Sequence, residues 1–156
     1  MKILVLSDSH GDAQAASLAV EKEKPRMIFF LGDGWRDSEK LMQKFKDIPF
    51  FRVPGNCDFH TKNAPEQIIA LEGFRILICH GHTYGVKQGL WDAEEVAKRE
   101  HLDAFLFGHT HTQLCVRRGR TLFFNPGSIG MSVPSAYGVL IAERGKQLDG
   151  RLYRLK

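Results

Sequence analysis

Five strand-like runs in this 156-residue chain each stop at side chains of one narrow kind. Ile3–Leu6 leads to Asp8 and His10, Met27–Leu31 to Gly32-Asp33, and Phe50–Val53 to Gly55-Asn56. Phe74–Cys79 leads to His80, and Ala104–Phe107 to Gly108-His109-Thr110-His111. Short runs this rich in aromatic and β-branched residues read as strands buried on both faces. In open α/β sheets, ligand sites form beyond the carboxyl ends of the strands, so residues distant in sequence can converge there.

The rest of the pattern fills in around these runs. Asp12 to Lys24 reads as a helix with Ala13, Ala16 and Val20 on one face, ended by Pro25. Ser38 to Phe45 reads as a second, with Leu41, Met42 and Phe45 together. Gln67–Leu71 and Phe74–Cys79 flank Glu72-Gly73 as a hairpin, and Asp92 to Glu95 resembles a capping box opening a helix to about Glu100. From Gln113 onward the signals are strands: to Arg118, Thr121–Phe124, Ala136–Glu143 and Gln147–Tyr153. The count favours an α/β fold of two packed sheets with helices outside, in one domain over residues 1–156. Apolar residues at 43% and charged residues at 26% supply a core without the charge excess of a disordered chain.

Taken singly, each polar residue at a strand end has a common explanation as a turn, cap or solvated side chain. The set reads otherwise. Asp8, His10, Asp33, Asn56, His80, His109 and His111 are all of metal-ligand type and stand beside Gly32, Gly55, Gly81 and Gly108. Two divalent ions about 3.5–4 Å apart need a bridging carboxylate, and Asp33 is the expected one. Two carboxylates against two dications leave the cluster net positive, which attracts a phosphoryl group.

The three cysteines, Cys57, Cys79 and Cys115, have neither disulfide nor zinc spacing, so a reducing cytoplasmic setting is expected. The apolar stretches fall far short of the roughly 20 residues that span a bilayer, and the N-terminus lacks a signal-peptide h-region. The net charge of +4 is dispersed, which argues against a polynucleotide or an anionic membrane as partner. The Arg117-Arg118-Gly119-Arg120 cluster reads as a charged hairpin tip in preference to an anion-steering patch, Trp35 and Trp91 as packing under loops in preference to lining a substrate mouth, and Cys79 as core.

Asp8-Ser9-His10, Gly32-Asp33, Gly55-Asn56-Cys57-Asp58, His80-Gly81-His82 and Gly108-His109-Thr110-His111, in this order, resemble the calcineurin-like metallophosphoesterases. The resemblance is to the small bacterial and archaeal phosphodiesterases, a branch that also contains a retromer scaffold subunit; Asn125-Pro126-Gly127-Ser128 is similar to that branch. It implies a four-layer αββα sandwich of two mixed sheets and a dinuclear centre. It also implies Asp8, His10, Asp33 and His111 on one ion and Asp33, Asn56, His80 and His109 on the other.

The expected activity is therefore that of a two-metal phosphodiesterase, in which a hydroxide held between the ions attacks the phosphorus of a small phosphate ester. The nitrogen-rich ligand set suits Mn first, with Fe, Co, Ni or Zn as options, over Mg. Where many relatives carry a histidine that protonates the leaving group, this chain has Cys57, a poor acid toward an alkoxide. A preference for activated or diester substrates is expected, with His82 and Asp58 as candidate catalytic substitutes or as supports for His80 and Asn56. The rival readings are an inactive scaffold, separated by activity with added Mn, and a nuclease, separated by salt-dependent DNA or RNA binding. Homo-oligomerisation is left open.

Overall fold

The computed structural model describes residues 1–59 and 61–155. Five strands form one sheet in the order β10-β9-β1-β2-β3: β1 (Lys2–Leu6), β2 (Met27–Phe30), β3 (Phe50–Arg52), β9 (Ala136–Ile141) and β10 (Asp149–Arg154). The second sheet runs β4-β5-β6-β8-β7: β4 (Glu66–Leu71), β5 (Phe74–Cys79), β6 (Ala104–Leu106), β7 (Leu114–Arg118) and β8 (Thr121–Asn125). Each sheet is mixed and contains three adjacent parallel strands. These are β1, β2 and β3 in the first sheet and β5, β6 and β8 in the second.

Side-chain alternation explains the uninterrupted apolar runs. Ile3 and Val5 of β1 face the other sheet and meet the layer of Ile76, Ile78, Leu106 and Phe124. Leu4 and Leu6 face the opposite way, onto Ala16, Ala19 and Val20 of α1 (Ala13–Glu23) and Leu41 of α2 (Trp35–Lys44). The second sheet repeats this, with Leu77, Phe105 and Phe123 packed on Ala93, Val96 and Ala97 of α3 (Trp91–Arg99). A strand covered on both faces has no polar side, so its sequence carries none. The result is the αββα sandwich.

Several local expectations are corrected. The buried face of α1 is Ala15, Ala16, Ala19 and Val20, leaving Ala13 at the margin, and Met42 of α2 is exposed. Helix α2 opens at Trp35 rather than Ser38, because its first N–H groups are satisfied by Asp58, a residue from another loop. Asp92–Glu95 makes no capping box: the N-cap is Leu90, two residues before Asp92, with no side-chain cap, so Asp92 lies within the first turn. Trp91 is 71% exposed and packs under no loop. The Arg118 and Arg120 side chains pair with Glu94 and Asp103, as a charged hairpin tip should. No helix among the described residues is long and apolar enough to cross a membrane.

Candidate metal centre

Six loops leave the carboxyl ends of the six parallel strands, and hydrogen bonds tie them to each other. Asp8 N–H donates to the Gly32 carbonyl at 2.9 Å, His10 N–H to the Asp33 carbonyl at 3.1 Å, and Gly108 N–H to the His80 carbonyl at 2.9 Å. The backbone turns sharply in the loops after β1, β2 and β6. Asp8, His10, Asp33, His109 and His111 all have left-handed φ, between 44° and 67°. Such positions cost about 1–3 kcal/mol each for a non-glycine residue and persist where surrounding structure dictates them. Here the loops are held so that five of the seven expected ligands turn out of their strands at one edge of the sandwich.

The two carboxylates share a design. Asp33 Oδ1 accepts the Cys57 N–H at 2.8 Å, leaving Oδ2 free to face His80 Nε2 at 3.3 Å and His10 Nε2 at 3.8 Å. Asp8 Oδ2 accepts Ser7 Oγ at 2.5 Å and the His109 N–H at 3.1 Å. Its Oδ1 then faces His111 Nε2 at 3.2 Å, His10 Nε2 at 3.7 Å and His80 Nε2 at 3.8 Å. One oxygen of each carboxylate is braced, and the other points at imidazole nitrogens. Asp8, His10 and His111 form one group with ligand atoms within 4.8 Å of one another, and Asp8, Asp33 and His80 form a second. Both carboxylates thus reach imidazoles on either side, Asp8 as much as the expected bridge Asp33.

His80 supplies the test of whether a cation fits. Its Nδ1 lies 2.7 Å from the Leu31 carbonyl, which accepts the ring's proton there, so the neutral ring turns the lone pair of Nε2 toward two carboxylate oxygens. That nitrogen is fully buried without a hydrogen-bond partner, 3.3 Å from Asp33 Oδ2. Burial alone would lower the His80 pKa, yet Asp33 and Asp8 outweigh it and raise it. Burial likewise works against ionisation of Asp33, but His80 and the Cys57 N–H hold its carboxyl well below the usual range. The surroundings demand positive charge at Nε2, which a divalent ion provides with the donor set present.

His109 and Asn56 lie outside those two groups. The His109 ring sits 5.0 Å from that of His80, and burial, then His80, Lys87 and His82, push its pKa down to about 4, which leaves the ring neutral. Asn56 is exposed on the loop that braces Asp33, with its amide 3.5 Å from Cys57 Sγ. His82 is exposed beside them, its ring 5.5 Å from His80 and 6.0 Å from His109, with its pKa lowered by burial and then by His80. Asp58 is taken up by backbone groups rather than by the imidazoles. Its carboxylate accepts the N–H groups of Asp33, Gly34, Trp35 and Gly55 at 2.7–3.0 Å, tying the second and third loops together. Burial, then Asp33, push the Cys57 thiol up.

Sequence reasoning missed the supports. Asp37 is buried and accepts Ser9 Oγ at 2.5 Å and the Gly11 N–H at 2.8 Å, holding the loop that carries His10. Asn125 Nδ2 donates to the Gly108 carbonyl and to Thr110 Oγ1, each at 2.9 Å. Ser128 Oγ donates to the Asp8 carbonyl at 2.7 Å. The run Asn125-Pro126-Gly127-Ser128 is the loop after β8, the sixth parallel strand. An Asn on a predicted strand end was the available signal for it.

Comparisons with known proteins agree with this architecture. Residues 1–146 match the family model described as the calcineurin-like phosphoesterase superfamily domain. The chain is 33% identical to "Probable metallophosphoesterase YsnB" of Bacillus subtilis, over 83% of this chain and 75% of that protein. It is 28% identical to "Phosphodiesterase YfcE" of Escherichia coli K12, over 90% and 87%. Among solved structures, a Streptococcus pneumoniae protein described as a predicted phosphoesterase superposes with a TM-score of 0.77 at 24% identity, covering 97% of each chain. Vacuolar Protein Sorting 29 of Cryptosporidium parvum superposes with a TM-score of 0.76 at 15% identity, covering 99% and 97%.

Proposed function

The chain belongs to the calcineurin-like phosphoesterase superfamily, and from that premise we infer that it is a metal-dependent phosphodiesterase acting on small phosphate esters at the Asp8–Asp33–His80 cluster. The observation that carries this is the buried, partnerless Nε2 of His80, aimed at the Asp8 and Asp33 carboxylate oxygens that the other imidazoles of the cluster also face. Asp8, His10, Asp33 and His111 would hold one ion, and Asp33, Asn56, His80 and His109 a second, with Mn first among Mn, Fe, Co, Ni and Zn. When bound, a pair of such ions supplies an activated water and neutralises charge growing on the phosphoryl oxygens.

The chain's own residues do the rest. Asp8 and Asp33, each with one oxygen braced, keep the free oxygens in place without rearrangement during the reaction. His82, exposed at the rim with its pKa lowered, is the side chain best placed to exchange a proton with a departing oxygen. Asp58 has both oxygens taken by backbone N–H groups and serves to hold the loops. Cys57, where relatives have a histidine, offers a thiol whose ionisation is disfavoured, which supports turnover of diesters and activated esters over alkyl monoesters. Three free thiols also support a reducing, cytoplasmic setting. The scaffold alternative rests on likeness of fold, which does not fix function.

The test is a metal analysis and a substrate panel on wild type and Asp33→Asn. Wild type loaded with Mn is expected to hydrolyse bis(4-nitrophenyl) phosphate far faster than an alkyl monoester. Asp33→Asn should lose bound metal and on the order of 10²-fold in turnover. Unchanged metal content and hydrolysis in the variant would remove Asp33 from the centre, and no turnover by the metal-loaded wild type would favour the scaffold.

A further inference from the structure

A cavity of about 550 Å³ opens directly beside His10 and Asp33, walled by the first turns of α2 and the loop after β3. Its size is that of a small-molecule site rather than a polymer groove. Two aromatic side chains line it. Trp35 is held by Arg52, whose guanidinium lies 3.7 Å from the ring centroid and donates to the Trp35 carbonyl and Ser38 Oγ. Phe59 stands at the rim 76% exposed, an arrangement that leaves a large apolar ring in water beside a polar centre.

The charges of the cavity wall sort themselves by partner. Asp37 and Asp58 line it, but their hydrogen bonds to loop N–H and hydroxyl groups fix them in the wall. Arg36 and Lys40, four residues apart on α2, share one face of that helix and also line the cavity. Nearby basic residues are engaged, Lys44 with Glu21 and Arg52 with Glu39, whereas among the described residues Arg36 and Lys40 pair with no acid. A metal cluster able to take one phosphoryl group is therefore flanked by two aromatic rings and two uncommitted cations.

We propose, resting on the phosphodiesterase reading above, that this cavity binds the organic portion of the substrate and selects a phosphodiester carrying a planar aromatic base and a second phosphate, the chemistry of a short nucleotide. The rings stack the base, a contact tolerant of base identity. Arg36 and Lys40 take the second phosphate by charge-assisted hydrogen bonds. The cavity holds a unit of one or two nucleotides, and the ion-paired Arg118 and Arg120 on the other sheet provide no basic track for a longer strand.

The experiment compares binding of the dinucleotides TpT and pTpT, which differ by one terminal phosphate, to the Mn-loaded protein by titration calorimetry, with hydrolysis of both followed in parallel. The terminally phosphorylated form is expected to bind about tenfold tighter, and the Arg36→Ala/Lys40→Ala double variant to erase that advantage. Phe59→Ala should weaken both ligands by about tenfold. Equal binding of the two dinucleotides by wild type, or an advantage that survives the double substitution, overturns the proposal. Binding with the expected discrimination but no turnover of any diester would instead overturn the phosphodiesterase reading and leave the subsite standing.

Discussion

At the scale of single residues, the supports carry as much of the arrangement as the ligands. Asp58 accepts four backbone N–H bonds from two loops, and no other side chain replaces it there. Removing an acceptor from enclosed donors costs about 1–3 kcal/mol per orphaned group, less where water enters. Asp58→Ala is expected to lower the stability of the metal-free protein by about 3 kcal/mol in urea unfolding and to weaken metal binding as the Asp33 loop loosens; a loss below about 1 kcal/mol would show that the loops hold without it. Tyr137 is a separate case. Its ring is fully buried, its hydroxyl donates to Glu23 Oε1 at 2.7 Å, and burial first, then that contact, raise its pKa above the ordinary 10.0. Because the folded-state pKa is the raised one, the contribution is complete below pH about 10 and is lost as pH climbs through the higher folded value. Alkaline unfolding followed by circular dichroism should therefore show phenolate absorbance from Tyr137 appearing only with unfolding, and a shallower loss of stability for Tyr137→Phe. The candidate ligands were legible as residue types after strands; Asp58 and Asn125 were singled out without their partners and Asp37 was not singled out, because those partners lie in other loops.

At the scale of elements, the decisive features are short loops after parallel strands. Gly55 shows why these loops tolerate so little. A Cβ placed there would stand 2.1 Å from Asp33 Oδ1 and 2.5 Å from the Asp33 nitrogen, so the third loop can approach the second only without a side chain. Gly108 has the same relation to the first loop, at 1.9 Å from Ser7 Oγ and 2.6 Å from Asp8 Oδ2. Gly55→Ala is expected to keep the sandwich, read by an unchanged far-ultraviolet spectrum, while weakening Mn affinity by about 10–100-fold in a metal titration, the scale seen when supports of a metal ligand are disturbed. Helix α2 makes the complementary point. The apolar spacing of Leu41, Met42 and Phe45 placed its start at Ser38, but Gly34 supplies no side chain and the cap arrives from Asp58, 24 residues on. A helix start supplied from another loop leaves no local trace.

At the scale of the whole molecule, the metal cluster sits at one edge of a core built without it. Three apolar layers, one between the sheets and one under the helices on each side, are complete in themselves. The metal-free protein is therefore expected to fold, with Mn adding stability by mass action rather than creating the fold. At free metal about a hundredfold above its dissociation constant the gain is about 2.7 kcal/mol, which in a chain of this size raises Tm by roughly 5–10 °C. A thermal melt with Mn and with a chelator checks this; a chelated protein already unfolded at room temperature would refute it. The sequence by itself determined the two-faced burial of the strands, through uninterrupted apolar runs, and which side chains stand as candidate ligands, through their places after those runs. Tertiary structure alone decided that Asp8 reaches His10, His111 and His80 as fully as Asp33 reaches its own partners, which loops brace which, and which cations stay uncommitted beside the cluster. The reason is that periodicity and turn chemistry are properties of neighbours along the chain, whereas carboxylate orientation and charge pairing depend on groups that only sheet packing brings within a few ångströms.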